Sequence, residues 1–273
     1  MEHITAKTSV RGRWRRGIRV HRATIAAISR FLNSMLRVRS IKDASVNGLQ
    51  VRSRKAGEVR KVGFAVDACL STFEKAKKRG VELLVVHHGI AWRPQKDREL
   101  EQNRAAWLRK NNMALYAVHL PLDLHEEYGN NMQLCRLLGV QDPIKFGKYH
   151  GIKIGYAGSF RKATGLDALA SVLDRDLDTQ CRVFPFGNQR IQSIGIISGG
   201  GGSLLKEACT AKLDSFLVGE IDLAVYNAAR EYGMNLIVAG HYATETVGVK
   251  ALMSLVRETF GVDIIFVADK KDI

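Results

Sequence analysis

Short apolar runs alternate with helical stretches along most of the chain, and this alternation restricts the fold more than any other feature. Val81–Val86 (VELLVV) and Asn235–Ala239 (NLIVA) are brief and almost unbroken. Runs of this kind suit strands buried on both faces, as in a parallel sheet covered by helices. Further strands are predicted at Val59–Val66, Ala114–Val118, Ile152–Phe160, Cys181–Phe184, Ile191–Ser198, Ser215–Val218 and Val262–Val267. Apolar residues three and four apart predict helices at 23–36, 71–79, 97–110, 130–138, 167–173, 204–211, 223–232 and 246–259. Strand–helix alternation of this length specifies an α/β architecture. Asn47-Gly48 reads as a tight turn, because both residues tolerate positive φ. The break near residues 140–151 reads as a boundary between two lobes.

The chain has 273 residues, 46% of them hydrophobic, enough for a sizeable core. No window supplies the roughly 18 consecutive apolar residues of a membrane span. Cys69, Cys135, Cys181 and Cys209 are far apart and form no C-x-x-C pair, which argues against a zinc ribbon or a thioredoxin-like motif. They read as reduced core residues of a cytoplasmic protein. The formal net charge is +15, and residues 1–39 hold ten Lys or Arg against the single acid Glu2. The acid-free stretch Arg11–Arg22 is therefore a distinct basic extension over residues 1–21. It has three readings: a solvated flexible tail, a contact for nucleic acid or another anionic surface, or an organelle-targeting segment.

Chemistry concentrates where the apolar runs end. VELLVV leads into His87-His88, ALYAV into His119 with Asp123 four residues later, and NLIVAG into His241 with Glu245 four residues later. An internal echo supports the arrangement. In EKAKKRGVELLVVHHG and NAAREYGMNLIVAGHY, eight positions separate Gly80 from His88 and Gly233 from His241. In parallel sheets ligands bind beyond the carboxyl ends of strands, where such residues would converge. If His241 and Glu245 open a helix, their spacing puts both on one face. Adjacent His87 and His88 point to opposite sides of an extended strand, so both serve only with two neighbouring ions or a turned backbone. A lone histidine at a strand end is usually just a hydrogen-bonded polar residue; here four of eight histidines follow apolar strands. Imidazoles with carboxylates suit Zn, Fe, Mn, Co or Ni. Asp123 and Glu245 are the bridging candidates, and the residues alone do not say which histidine serves which ion. His119 reads as an orienting partner or as a core histidine. Gly199–Gly202 reads as a permissive turn rather than a phosphate cradle, since no Gly-Lys-Ser/Thr follows. Trp14, Trp92 and Trp107 form no stacking platform for reading RNA.

These segments carry a resemblance. SVNGLQV (45–51), VVHHGI (85–90), HLPLD with GNN (119–131), GGGGSLLKEA (199–208), VGE (218–220) and AGHYATE (239–245) occur in the order found in the NIF-three-like family, whose members are also named GTP cyclohydrolase I type 2 homologues. The chain resembles that family over roughly residues 22–268. The resemblance implies two similar, interlocked α/β lobes with mixed sheets, lobe one at about 22–140 and lobe two at about 151–268. The spacing from Asp123 to His241 matches the short form without an inserted domain. It also implies two divalent metal ions per chain, with His87, His88, Asp123, His241 and Glu245 as ligands, and a homohexameric ring, a trimer of dimers. The basic segment before Arg22 has no counterpart in the family pattern. Many members carry a histidine where this chain has Leu223 or Ala224, which weakens any role for Glu220.

Three functions follow as expectations. The first is a metal-dependent hydrolase acting on a nucleotide or related small molecule. The second is a metal-binding scaffold without catalysis. The third is a basic ring associated with nucleic acid.

Overall fold

The computed structural model describes residues 22–54, 57–95 and 97–270, so the basic extension at 1–21 lies outside the described residues. Two mixed sheets form. In the first, β1 (Gly48–Val51), β4 (Ala114–Ala117), β3 (Leu83–His88), β2 (Lys61–Asp67) and β11 (Asp263–Phe266) lie side by side in that order. β1 is antiparallel to β4, and the other neighbours are parallel. The second sheet runs β5 (Gln141–Tyr149), β6 (Ile152–Thr164), β8 (Ile191–Ile197), β9 (Ser215–Val218), β10 (Asn235–Val238) and β7 (Arg182–Phe184). There β8, β9 and β10 are parallel, flanked by antiparallel neighbours. The apolar runs singled out in the sequence are the central parallel strands, with β4, β9 and β10 buried along their length.

Helices cover these sheets: α1 (Ile25–Met35), α2 (Leu70–Lys78), α3 (Arg98–Lys110), α4 (Leu120–Asp123), α5 (Asn130–Leu138), α6 (Leu166–Leu177), α7 (Leu205–Thr210), α8 (Leu223–Tyr232) and α9 (His241–Phe260), and all but the short α4 overlap the ranges the spacing predicts. Start signals are local. The Thr24 side chain accepts from the Ala27 amide to open α1, and Asp222 does the same for α8 through Val225.

Three expectations need correction. Residues 140–151 are not a boundary: β5 occupies them and pairs with β6. Pro143 and Gly147 hid the strand, but β5 lies at a sheet edge, where a missing N–H is tolerated. Nor is 151–268 a unit of its own, because β11 pairs with β2 in the first sheet. α9 makes that return possible. Its 20 residues span about 30 Å and carry the chain from β10 back to the other sheet. Finally, Asn47-Gly48 is no tight turn; Gly48 opens β1 and Asn47 is used as described below.

α9 is the shared element of the core. Val249, Leu252, Val256 and Phe260 pack with Ile28 and Leu32 of α1 and with Phe64 and Tyr116 of the first sheet. Ala243 and Val247 pack with Leu173 of α6 and with Ile196 and Ile237 of the second sheet. At Gly248 the helix passes so close to α5 that a Cβ would sit 2.5 Å from Asn130 Oδ1. That oxygen accepts the Gly248 amide instead, at 2.8 Å. All described helices are too short or too polar to cross a membrane.

Candidate metal centre

β3 delivers two histidines to one place. His87 is fully buried, and its Nδ1 lies 3.0 Å from the Val118 carbonyl. A carbonyl can only accept, so the neutral ring carries its proton on Nδ1 and presents an Nε2 lone pair. His88 Nδ1 lies 2.8 Å from Asp67 Oδ1, which is held on the neighbouring strand β2. The alternation expected of an extended strand does not separate the two rings. Their centroids are 4.7 Å apart.

His119 and His241 are fastened the same way. His119 Nδ1 lies 2.9 Å from Asp43 Oδ1, and the His119 amide donates to Asn47 Oδ1 at 2.7 Å. His241 Nδ1 lies 3.1 Å from Glu220 Oε1. All four rings are thus held through Nδ1. Partners of this kind fix tautomer and orientation for metal-binding imidazoles.

Two carboxylates complete the cluster. α9 starts at His241, five residues before the expected Thr246, so His241 and Glu245 share one helix face. Glu245 Oε1 lies 3.2 Å from His241 Nε2 and 3.5 Å from His87 Nε2, while Oε2 lies 3.3 Å from His88 Nε2. Asp123 ends the short α4. Its Oδ1 accepts from Asn130 Nδ2 at 2.8 Å and Ser198 Oγ at 3.2 Å, and its Oδ2 lies 3.6 Å from His87 Nε2. Gly199 presses against this group. With φ of +62°, its Cβ position would be 2.3 Å from Glu245 Oε1 and 3.0 Å from His241 Nε2, so any side chain would intrude.

Protons respond to the crowding. Burial opposes a charged His88, but Glu245 and Asp67 outweigh it and lift its pKa to about 10. His241 is lifted against burial to about 9, chiefly by Glu245. Burial by itself would raise the Glu245 pKa, yet the surrounding imidazoles hold it well below the usual carboxylate range. Burial likewise opposes ionisation of Asp43, and its bonds from His119, Asn47 and Ser45 bring it down to about 2.

Two overlapping groups can hold a metal ion: His87, His88 and His119, and His88, His241 and Glu245. In each, one donor atom per residue lies within 4.8 Å of the others. The residues also pass a fit test. His87 Nε2 and Glu245 Oε2 are buried and accept or donate no hydrogen bond. An unsatisfied buried polar atom costs about 1–3 kcal/mol, and a cation would satisfy both.

The structure therefore brings His87, His88, Asp123, His241 and Glu245 together, with His119 beside them. Within this set Asp123 comes nearest His87 and stands outside both three-residue groups. Asp43, Asp67, Glu220, Asn130 and Ser198 were not singled out by spacing as supports. They come from separate segments, and no periodicity links them to the histidines. A cavity of about 500 Å³ opens over the cluster.

Comparison with known proteins agrees along the whole described chain. Residues 23–273 match the family described as Duf34/NIF3 (NGG1p interacting factor 3). A "GTP cyclohydrolase 1 type 2 homolog" of Pyrococcus abyssi is 45% identical over 239 residues, covering 87% of this chain and 94% of that protein. The solved structure of TTHA1606 from Thermus thermophilus is 34% identical with a TM-score of 0.82, covering 91% of this chain and 99% of that one. That of protein ybgI, described as of unknown function, is 29% identical with a TM-score of 0.83 and the same coverage.

Proposed function

This chain belongs to the Duf34/NIF3 (NGG1p interacting factor 3) family, and we propose that it is a dinuclear divalent-metal hydrolase acting on a nucleotide or related small molecule. One observation carries the reading: Glu245 turns one oxygen toward His87 and His241 and the other toward His88, with Asp123 also beside His87. A carboxylate placed between two sets of imidazoles is the arrangement that holds a pair of cations. The relatives named GTP cyclohydrolase 1 type 2 homologues support a hydrolytic role on nucleotides.

His87, His88, His241, Glu245 and Asp123 would hold the ions. A bound pair of divalent cations supplies an acidified water and a clamp for a developing oxyanion. The chain supplies the rest. His119 borders the cavity, and its Nδ1 is anchored to the buried side chain of Asp43, so its Nε2 is placed to take up and return a proton. Asp43 holds the ring in that orientation.

Metal-loaded protein should turn over nucleotides or their relatives, followed by the ultraviolet change that accompanies ring opening or by phosphate release. Asp123→Ala and Glu245→Ala should abolish turnover. Activity retained in both variants would overturn the reading. A homohexameric ring is part of the same proposal, supported by the exposed apolar side chains Ile144 and Leu223. Light scattering of the purified protein tests it.

A further inference from the structure

Each sheet contributes one aromatic wall to the cavity over the cluster. Trp92 follows β3, and its indole Nε1 donates to the Gly89 carbonyl at 3.0 Å. The ring lies with its centroid 5.2 Å from that of His119 and 6.2 Å from that of His88. Tyr149 ends β5 on the other sheet and is 42% exposed. Both rings line the cavity, together with the apolar side chains of Ile154, Ile197 and Leu204.

The charge of the cavity is as informative as its shape. The chain holds 42 Lys and Arg, yet none is among the described residues lining this cavity. A neighbouring cavity of about 980 Å³ shows the contrast, bordered by Arg182, Lys250 and Lys270. Five carboxylates touch or anchor the metal-site histidines: Asp43, Asp67, Asp123, Glu220 and Glu245. Together they carry one more negative charge than two divalent cations carry positive. A polyphosphate entering here meets no cationic side chain among the described lining residues, and a slightly negative centre. A flat ring meets two aromatic surfaces, and a ring nitrogen or carbonyl oxygen at its edge offers the lone pair that a cation accepts.

We propose that the compound recognised over the metal centre is a planar, phosphate-free heteroaromatic molecule of nucleobase or nucleoside size, seated along Trp92 and Tyr149. This inference rests on the hydrolase reading and takes its substrate from the related small molecules, not from the nucleotides themselves. A cavity of about 500 Å³ suits one such molecule.

Equilibrium dialysis of the metal-loaded full chain against guanosine, adenosine, GTP and inorganic tripolyphosphate tests it, with metal content measured on the same samples. The nucleosides should bind about tenfold more tightly than GTP and tripolyphosphate. Trp92→Leu and Tyr149→Leu should each weaken nucleoside binding about tenfold at unchanged metal content, and Trp92→Phe should retain it. Tighter binding of GTP or tripolyphosphate, or nucleoside affinity unmoved by both leucine variants, overturns the inference. Full metal content without nucleoside binding overturns it and leaves the metal reading standing. Protein that takes up no metal overturns both.

Discussion

His87 Nε2 and Glu245 Oε1 face each other across 3.5 Å in a region closed to solvent, too far for a good hydrogen bond and near enough to share a cation. The pair makes a direct test. Glu245→Gln keeps the side chain's shape but replaces one anionic oxygen with an amide NH₂, which repels a cation. Metal bound per chain, read by elemental analysis, should fall from two equivalents to one or fewer. Retention of two would remove Glu245 as a shared ligand.

The residues behind the histidines should matter almost as much as the histidines. Asp67→Asn and Glu220→Gln each loosen the Nδ1 anchor of one ligand ring, His88 and His241, and the expected loss is about 10–100-fold in metal affinity. Competition with a fluorescent chelator measures it. Asp43 does more than orient His119: its carboxylate also accepts from Ser45, Asn47 and Leu120. Asp43→Ala should therefore lower stability by about 1–3 kcal/mol as well, seen as an earlier urea midpoint. Asp67→Asn should leave the midpoint of the metal-free protein nearly where it was. Equal effects of the two on stability would contradict this division.

These supports also mark where sequence reading stops. The parallel strands were legible because VELLVV and NLIVA admit few other structures, and the ligand candidates were legible because they sit where those strands end. Asp43, Asp67 and Glu220 lie 76, 21 and 21 residues from the histidines they hold, and contact across such gaps is a product of topology alone. Asn47 shows the same limit from the other side. Its neighbour Gly48 suggested a turn, whereas its side chain fixes the His119 amide across 72 residues. Nothing in the spacing of Trp92 ties it to the histidines, and only the fold brings it against His88 and His119.

The metal-free protein should lose stability as pH rises. His88 and His241 have folded pKa values of about 10 and 9, against about 6.5 for an unfolded histidine. A raised folded pKa means that the folded state binds more protons between these limits. The stabilisation is complete below pH 6.5 and is lost as pH climbs through 9 and 10. Thermal melts of chelator-treated protein from pH 6 to 10 should show a falling Tm. Metal uptake displaces these same protons, so calorimetry in buffers of different ionisation enthalpy should show proton release near neutral pH. A pH-independent Tm together with no proton release would refute the charged cluster.

Gly199→Ala should injure the centre without touching a candidate ligand. The new Cβ falls 2.3 Å from Glu245 Oε1, and the residue's φ of +62° is itself unfavourable for alanine by about 1–2 kcal/mol. Gly199 also accepts the Gly219 and Glu220 amides at 2.9 and 3.1 Å, so movement of this loop carries Glu220 away from His241. Metal content and Tm should both fall. Gly151→Ala is the control, since its φ of +85° imposes strain but no atom lies near its Cβ. It should lower Tm and leave metal binding intact.

Leu252 tests whether the two sheets fold as one. It is fully buried on α9, in the core of the first sheet, while Ala243 and Val247 of the same helix pack into the second. Leu252→Ala should cost about 2–5 kcal/mol through lost burial and a residual cavity. Because α9 and β11 bind both halves, the loss should appear as a single earlier transition. Circular dichroism and the fluorescence of Trp92 and Trp107 should move together, and the metal centre should disassemble at the same denaturant concentration. Two separated transitions, with only the first sheet destabilised, would show that each sheet with its helices stands alone and that α9 is a tether between them.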